Sequence, residues 1–185
     1  EVAIAGGASR WFDQRSMKLY ANKRFGKKKY SGVFWKEKQD VDKVKSFMLR
    51  NGGNNCHRSR INDAVLQRLF GTHIQNIDYQ AYTPIIAYIN GNYKGVYALR
   101  ERSQEDYVEA NYNGLEEIEV ATEAQYYSSS SRKGTLFANL YNTYTSRTAT
   151  YEQMANLIDV ENFKNTLIAE IFSTNYDYPA NNISL

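Results

Sequence analysis

The densest group of residues able to do chemistry lies near the end of the chain, in the segment Asp177-Tyr-Pro-Ala-Asn181-Asn182. Its carboxylate and amide oxygens are the hard ligands that Mg²⁺ prefers, and Pro179 would stiffen the loop that holds them. Asp, Pro and Asn are also common in loops that have no catalytic role. The segment therefore predicts either a divalent-metal site, with Asp177 as its carboxylate, or an ordinary loop.

Charge is divided unequally along the chain, although the formal net charge is only +3. Residues 1–60 contain 15 Lys or Arg and 5 Asp or Glu, whereas residues 61–185 contain 8 and 15. Such asymmetry is typical of a basic lobe that faces an anionic partner. The densest basic run, Lys23–Lys29, is interpreted either as a solvated hairpin tip or as part of a polyanion-binding surface within residues 10–45. Zinc-binding spacing, aromatic RNA-binding motifs and basic-zipper heptads do not occur, so nucleic acid is not the expected partner.

Composition limits the class of protein further. The 185 residues include 2 Trp, 16 Tyr and 8 Phe, which is enough to bury a core in a single domain over residues 1–185. The one cysteine, Cys56, excludes an internal disulfide framework, and with only His57 and His73 beside it a structural metal site is not expected. No stretch approaches the ~20 apolar residues of a membrane helix. Because both ends of the sequence look cut, we expect a piece of a longer protein with further domains.

Hydrophobic periodicity predicts an α+β fold, with strands in the first part of the chain and helices in the last. A hairpin is expected around Asn90-Gly91. Gly71 is expected to end the first helix, Ser103 to cap the second and Asp159 to cap the last, whose apolar residues are expected to form a buried stripe. The predicted strands are Val2–Ala5, Ser16–Ala21, Lys45–Arg50, Thr83–Asn90 and Tyr93–Glu101; the predicted helices are Arg60–Phe70, a short one after Ser103, Gly134–Thr145, Thr150–Leu157 and Val160–Phe172; the stripe is Val160, Phe163, Leu167, Ile168 and Ile171.

This layout is that of kinase-like phosphotransferases: a basic, strand-rich lobe over residues 1–101, then a mainly helical part over residues 102–185. Protein kinases also place an Asp five residues before an Asn in the catalytic loop, with the Asp near the acceptor hydroxyl and the Asn on Mg²⁺. Asp177 and Asn182 have the same offset.

Longer segments extend this similarity and occur in order along the chain. Together they resemble CotH-type sequences, the family of the spore coat protein H kinases and of many secreted bacterial relatives. The resemblance runs from about Ala5 to the last residue. The segments that carry it are Gly7-Ala-Ser9-Arg10 with Gln14-Arg15-Ser16, Phe47-Met-Leu-Arg50-Asn51-Gly-Gly-Asn54, Gln80-Ala-Tyr82-Thr-Pro84, Asn90-Gly-Asn-Tyr-Lys-Gly95-Val-Tyr97-Ala-Leu-Arg100-Glu101 and Asp177-Tyr-Pro-Ala-Asn181-Asn182.

The resemblance implies an atypical protein-kinase-like fold that binds ATP with Mg²⁺ or Mn²⁺ and phosphorylates Ser or Thr of a protein substrate. It implies that Asp177 is the catalytic base or a metal ligand, and that Asn182 or Asn181 is the metal-binding amide. Glu101 matches the family's Glu after the hairpin, where it would pair with a basic residue or contact nucleotide. From composition alone Glu101 is a surface residue at a strand end.

The resemblance also places nucleotide-binding candidates in the basic lobe. Where the family has Gln-Lys-Ser, this chain has Arg15, whose planar head can hold a phosphate but does not replace a compact ammonium. Lys18, on the opposite face of the strand, is the other candidate for phosphate contact, or else an exposed strand lysine. Ser9 and Arg10 follow a glycine turn at Gly6-Gly7 whose amides can approach a phosphate.

A further candidate lies before the first helix. Arg58 matches the family's Arg in this region and is expected to contact phosphate, whereas Asp63 is expected to cap or pair structurally. Asn62 replaces a family Arg.

The resemblance leaves activity open. CotH-type kinases continue past the Asn-Asn with a strand and a second metal-binding Asp, so the kinase domain in residues 1–185 is expected to be truncated at its C-terminus. Two functions therefore remain: a kinase that phosphorylates a coat or surface protein, or a catalytically inactive kinase-like scaffold or binding module. The expected location, by resemblance, is extracellular, on the cell surface or in the spore coat.

Overall fold

The structure is a computed structural model that describes residues 1–112, 115, 118, 120 and 135–178. It divides into two compact units, which are described separately. The first comprises Glu1–Thr72 and Tyr79–Leu115, and the second comprises the described residues of His73–Asp78 and Glu116–Leu185. Mixed strands and helices give the α+β class that the periodicity predicted.

The strands of the first unit are β1 Val2–Ala5, β2 Ser16–Tyr20, β3 Tyr30–Ser31, β4 Lys43–Val44, β5 Ser46–Arg50, β6 Tyr82–Ile89 and β7 Asn92–Arg100. Five of them form an antiparallel sheet in the order β1-β2-β5-β7-β6. The other two, β3 and β4, pair in a second sheet and are too short for periodicity to predict.

The hairpin between β6 and β7 turns at Asn90 and Gly91, as predicted. Both residues have positive φ, 51° and 78°, which is the requirement of a two-residue turn that matches the twist of the strands. The hairpin places Arg100 beside Tyr82 at the end where β7 also pairs with β5.

The register of the sheet gives its two faces opposite characters. Because directly paired residues share a face, Lys18, Met48 and Arg100 lie side by side across β2, β5 and β7. We call this the cationic face. Met17, Leu49 and Leu99 lie on the other side, which we call the core face.

The core face is covered by the segment that precedes and includes β4. Trp35 is fully buried there, and its Nε1 donates a hydrogen bond to the Leu99 carbonyl at 3.1 Å. Val41 and Val44 pack in the same cluster as Leu99 and Tyr97. The core therefore lies on one side of the sheet and leaves the cationic face for polar contacts.

Helix α1, Asn62–His73, continues past Gly71, so the predicted stop at Gly71 is wrong. The physical reason for glycine there is space: a Cβ on Gly71 would lie 2.0 Å from Cδ1 of Tyr79. Gly71 thus permits close packing within the first unit rather than a helix end.

Helix α2, Glu105–Asn111, begins after Gln104, and no side chain caps it, so the predicted cap at Ser103 is wrong. The Ser103 hydroxyl instead accepts a hydrogen bond from Nε2 of Gln80 at 2.7 Å. Glu105 and Asp106 occupy the first turn, where carboxylates favour the helix dipole.

The second unit contains helices α3 Thr135–Thr145, α4 Tyr151–Ala155 and α5 Val160–Phe172. Thr150 caps α4 in a capping box with Gln153. Asp159 caps α5, as predicted, by accepting the Asn162 backbone N–H at 2.9 Å. Asp159 also accepts from Nδ2 of Asn76 at 2.8 Å, which ties the loop His73–Asp78 to the start of α5.

The buried stripe predicted for α5 is wrong. Ala169 is its buried residue, whereas Phe163, Ile168 and Ile171 are exposed. The helix contacts the loop His73–Asp78 through side-chain amides, since Asn162 and Asn165 donate hydrogen bonds to the backbone carbonyls of Asn76 and Gln75. Apolar spacing predicts an amphipathic helix but does not determine which side the rest of the unit covers.

Candidate functional site

The cationic face holds a lysine for which the described residues supply no hydrogen-bond or ion-pair partner. Lys18 occupies the middle of β2, between Ala3 of β1 and Met48 of β5, and its side chain is half-buried. Within the part of the chain that the structure describes, its ammonium forms neither a hydrogen bond nor an ion pair. Phosphate contact by Lys18 remains a prediction.

Electrostatics at Lys18 favour an incoming anion. Burial lowers the pKa of the Lys18 ammonium below its ordinary value, and the positive charges of Arg102 and Arg10 lower it further. A cation that is partly desolvated among other cations is stabilised by any anion that reaches it. The three side chains together are suited to a phosphate.

Arg102 is held in place by neighbours on the same face. Its Nη1 donates to Oγ of Ser46 at 2.9 Å, and its guanidinium lies 4.8 Å from the centre of the Tyr20 ring. Ser46 is buried and donates in turn to the Asp106 carboxylate of α2. Arg102 was not among the predicted site residues, because an Arg after a strand has no distinguishing pattern in sequence.

Ser9 and Arg10 belong to a 3₁₀ turn, Ala8–Trp11, that follows β1. Gly6 allows this turn: its φ is +100°, and a Cβ there would lie 2.3 Å from Oγ of Ser9. Arg10 donates from Nη2 to the Ile4 carbonyl at 3.3 Å and remains exposed. The turn therefore places Arg10 near enough to Lys18 to affect its pKa, whereas the predicted amide contact to phosphate remains a prediction.

Arg15 and Arg58 are both exposed. Arg15 immediately precedes β2, and Arg58 lies in the loop before α1. Each is available to solvent, and phosphate contact by either remains a prediction.

Asn51 is a buried amide, hydrogen-bonded to the residue before Arg15, that the sequence patterns did not indicate. Asn51 is almost fully buried, donates from Nδ2 to the Gln14 carbonyl at 2.6 Å and accepts from Ser16 Oγ at 2.8 Å. Its backbone N–H donates to the same hydroxyl at 3.0 Å, so β2 and β5 are joined beyond their last paired residues. The Asn51-Gly-Gly run indicated only a turn in the sequence.

Asp63 pairs structurally, as predicted. Its Oδ2 lies 3.0 Å from Nη1 of Arg100 and 3.6 Å from Nε of Arg50, which connects α1 to the cationic face. Arg100 is almost fully buried, and burial lowers the pKa of its guanidinium. Among the described residues, none accepts a hydrogen bond from its Nε.

Glu101 is 3% exposed, so the surface interpretation of this residue is wrong and its predicted pairing with a basic residue is confirmed. Its Oε2 lies 2.7 Å from Nζ of Lys38 and also accepts the Ala81 N–H at 2.8 Å. Its Oε1 accepts from Nδ2 of Asn111 at 2.8 Å. These donors engage both oxygens, and nucleotide contact by Glu101 remains a prediction.

Lys38 completes this network. Its Nζ donates to the Tyr79 carbonyl and to Oδ1 of Asn111, both at 2.8 Å. The same ammonium lies 4.5 Å from the Tyr79 ring centre and 4.8 Å from that of Tyr107. Lys38 was missed because nothing in its neighbourhood separates it from the other lysines of residues 23–45.

Asp177 lies in a turn after α5 in the second unit and is exposed. Its backbone N–H donates to Oδ1 of Asn175 at 3.2 Å. The two amides predicted to share a metal with it, Asn181 and Asn182, lie outside the described residues. Among the residues that are described, no cluster of three His, Cys, Asp or Glu side chains is arranged to hold a metal ion.

Comparison with known proteins gives one match that spans nearly the whole chain. The family described as CotH kinase protein matches residues 2–185. No curated protein matches the chain. In the described ranges, none of the helices has the length and apolar character needed to cross a membrane.

Proposed function

The chain belongs to the CotH kinase family, and from this premise we propose that it binds ATP with Mg²⁺ or Mn²⁺ and transfers phosphate to Ser or Thr of a protein. The acceptor belongs to a coat or surface protein, in the extracellular or coat location that the family resemblance implies.

One observation carries the proposal. Lys18 is half-buried in the middle of β2, within reach of the positive charges of Arg102 and Arg10, and it lacks a hydrogen bond or ion pair within the described part of the chain. A lysine is almost never fully buried without a partner, and an ammonium that is partly desolvated among other cations is stabilised by an anion that reaches it. The phosphates of a nucleotide match this need in charge.

The residues present fit such a ligand in their chemistry. Lys18 and Arg102 would bind and neutralise phosphate oxygens, and Arg10 and Ser9 would contact them from the turn after β1. Arg15 and Arg58 would add exposed positive charge. Phosphoryl transfer is catalysed mainly by positioning and charge neutralisation, so a preformed group of cations is the contribution expected of this unit.

Asp177 is the proposed general base or metal ligand. A carboxylate in a short turn can accept the proton of a Ser or Thr hydroxyl, or bind a hard divalent cation through oxygen. Asn181 and Asn182 are the proposed amide ligands. When bound, the metal would neutralise charge on the phosphates and hold them in position.

Calorimetry with ATP and Mg²⁺ or Mn²⁺ tests nucleotide binding. We expect Lys18→Met to weaken binding by about tenfold or more, about 1.4 kcal/mol, and Lys36→Met, at an exposed lysine, to leave it unchanged. Absence of binding by the unaltered chain, or equal loss in both variants, would contradict the proposal.

Phosphate transfer to Ser- or Thr-containing peptides tests the reaction itself. Asp177→Asn should abolish transfer, whereas Glu152→Gln, which removes an exposed carboxylate of α4, should not. Nucleotide binding without transfer by the unaltered chain would favour the second candidate, an inactive kinase-like binding module. The exposed Arg15, where the family has Lys, is the observation that favours that candidate.

A further inference from the structure

The five-stranded sheet ends in two edge strands, β1 and β6, which differ in how they are protected. The outer side of an edge strand carries backbone N–H and C=O groups that no neighbouring strand takes up, and natural proteins usually guard such edges with charge. In β1 the Ile4 carbonyl accepts a hydrogen bond from Nη2 of Arg10 at 3.3 Å. In β6, by contrast, none of the eight residues is charged.

Charge is absent from the whole sequence around β6. The fifteen residues between Asp78 and Lys94 include no Lys, Arg, Asp or Glu, and this is the longest such run in the chain. Charged side chains, lysine above all, are a common means of keeping two edge strands apart, and like charges directly opposite each other destabilise a strand pair. Two copies of β6 can therefore meet without electrostatic repulsion between their side chains.

The first half of the β6 edge is closed by the chain itself. The Tyr82 N–H donates to Oε1 of Glu37 at 2.9 Å, and the Thr83 hydroxyl donates to the Phe34 carbonyl at 2.8 Å. Pro84 has no N–H to offer, which is typical of proline on an edge strand. An incoming strand is thus excluded from this half of β6.

The second half of the edge is open. The Tyr82 N–H points away from β7, and because backbone groups alternate in direction along a strand, those of Ile86 and Tyr88 point to the same outer side. Val96, the partner of Ile86 in β7, supports this direction, since its carbonyl accepts from Nε2 of Gln14 at 2.8 Å. No described residue outside the sheet bonds to the backbone of Ile86 or Tyr88. We call Ile86–Tyr88 the open edge.

Four exposed side chains accompany the open edge on one face of the sheet. Ile86 pairs with Val96 and Tyr88 with Tyr93, and the centres of the two tyrosine rings lie 5.7 Å apart. The register shift at this point adds Lys94 to β7 and leaves β6 continuous. A tyrosine can bury about 150–250 Å², so Tyr88 at 64% exposure and Tyr93 at 60% hold roughly 200–300 Å² that a neighbour can cover.

We propose that a second copy of this chain pairs with the open edge, β6 against β6 about a two-fold axis, to form a dimer with a continuous sheet. The N–H and C=O of Ile86 in one copy then exchange hydrogen bonds with those of Tyr88 in the other, and the reverse. A two-fold contact joins the same surface of both copies, for which an uncharged, apolar surface is self-complementary. Pairing closes the open edge of each copy, so association stops at the dimer.

An extended segment of another protein is the alternative occupant. Such segments gain affinity from a row of main-chain hydrogen bonds and specificity from pockets beside the edge. The open edge is short, because Glu37 and Pro84 block it on one side and the turn at Asn90-Gly91 ends β6 on the other. A short row of hydrogen bonds needs added apolar contact, which the exposed side chains of a second copy supply.

Sedimentation velocity of the 185-residue chain over a range of concentrations tests the proposal. We expect a reversible equilibrium between monomer and dimer. Its dissociation constant should be micromolar, because a standard interface buries about 800 Å² on each partner and this contact lies at the low end of that range.

Two substitutions at one position separate the side chain from the backbone. Ile86→Lys adds the charge that natural edges use against pairing and should raise the dissociation constant by about tenfold or more. Ile86→Pro removes a donor from the contact and keeps the pairing of β6 with β7, because this N–H points away from β7. It should weaken the dimer by a similar factor, and circular dichroism verifies that each variant folds.

Val2→Lys is the matched control at the other edge. Val2 lies in β1 and is 61% exposed, compared with 62% for Ile86. Because Val2 is outside the proposed contact, its substitution should change the dissociation constant by less than about twofold.

Each result decides for or against the second copy. A chain that stays monomeric at all concentrations, or a dimer that weakens equally in Ile86→Lys and Val2→Lys, would overturn it. The probe for a foreign strand is a labelled, uncharged peptide of alternating Ile and Thr. If the chain stays monomeric and binds this peptide less tightly after Ile86→Pro, the open edge accepts a foreign strand and the dimer is excluded.

The dimer and the proposed function fail separately. Lys18 lies in β2, which β5 and β7 separate from β6, so affinity for ATP should be the same in the unaltered chain and in Ile86→Lys. A chain that dimerises through Ile86 and does not bind ATP would support the dimer and contradict the kinase proposal.

Discussion

Two lysines of the first unit occupy opposite electrostatic environments. Lys38 is engaged by Glu101, the Asn111 amide, the Tyr79 carbonyl and two aromatic rings. Lys18 is also partly withdrawn from water, yet after burial the charges that lower its pKa are those of Arg102 and Arg10. Among the described residues, Lys38 therefore has partners that stabilise the fold, whereas Lys18 has no partner of opposite charge.

Glu101, the ion-pair partner of Lys38, has the hydrogen bonds expected of a residue that stabilises the fold. Glu101 is the predicted site residue with the most complete set of partners, and its hydrogen bonds are all made within the folded unit. A group whose partners are all internal contributes to stability. A group that folding leaves without a partner is the better candidate for ligand binding.

The largest effect is expected from removal of the internal partner. Lys38→Met leaves the Glu101 carboxylate buried without a cation, and breaking such a pair costs about 3–5 kcal/mol of unfolding free energy. Urea denaturation of the variant measures this loss. Lys36→Met, two residues away and exposed, should change stability by less than about 0.5 kcal/mol.

The double variant Lys38→Met with Glu101→Gln tests the cause of this loss. It removes the negative charge that Lys38→Met alone leaves buried and unpaired, so part of the unfolding free energy should be recovered. A loss below about 1 kcal/mol for Lys38→Met alone would show that the buried pair does not stabilise the unit in the way inferred.

A smaller loss of unfolding free energy is expected when the Tyr79 ring, which lies against the Lys38 ammonium, is displaced. Gly71→Ala places a Cβ where the Tyr79 ring packs, and overpacking of this kind costs about 1–3 kcal/mol. Alanine in place of an unconstrained helical glycine would instead stabilise by up to about 1 kcal/mol, so the sign of the change is decisive. Thermal or urea unfolding measures it, with Arg68→Ala, at an exposed position in α1, as the control.

Lys18→Met should have the opposite profile to Lys38→Met. It removes a desolvated cation from beside two others, so the unfolding free energy should stay the same or rise. Affinity for ATP should fall by about tenfold or more, about 1.4 kcal/mol. Parallel urea denaturation and calorimetry compare the two lysines, and a loss of stability in this variant would place both in the same structural class.

The smallest effect concerns the titration of Lys18. Its pKa in the folded chain lies below the ordinary 10.5. Between the folded and the ordinary pKa the unfolded chain binds more protons, so this group makes stability rise with pH across that window. ATP affinity should fall across the folded pKa, because the ammonium loses its charge.

Arg102→Gln tests the cause of this shift. Removing the positive charge of Arg102 should raise the pKa of Lys18 towards its ordinary value, which NMR titration of the lysine side chain can follow. A Lys18 pKa that does not move would mean that Arg102 exerts no measurable repulsion on it. Arg147→Gln, at an exposed arginine of the second unit, is the control.

Sequence patterns were most reliable where a few neighbouring residues decide the structure. The hairpin at Asn90-Gly91 and the cap at Asp159 were predicted because their turn and hydrogen bond are local. Gly71 was misinterpreted because its reason is the Tyr79 ring, which joins the helix from a later segment. The stripe of α5 was misassigned because spacing does not reveal which side of a helix the fold covers.

Residue patterns were enough to predict the α+β class, most of the long elements, the family and the candidate residues Lys18, Glu101 and Asp177. What surrounds each of these residues became known from the folded chain. Lys38 and Glu101 are 63 residues apart, and Lys18 lies in β2 whereas Arg102 follows the end of β7. Burial and charge at a side chain depend on such distant neighbours, and for that reason folding, rather than spacing, distinguished Lys38, which is paired, from Lys18, which has no partner among the described residues.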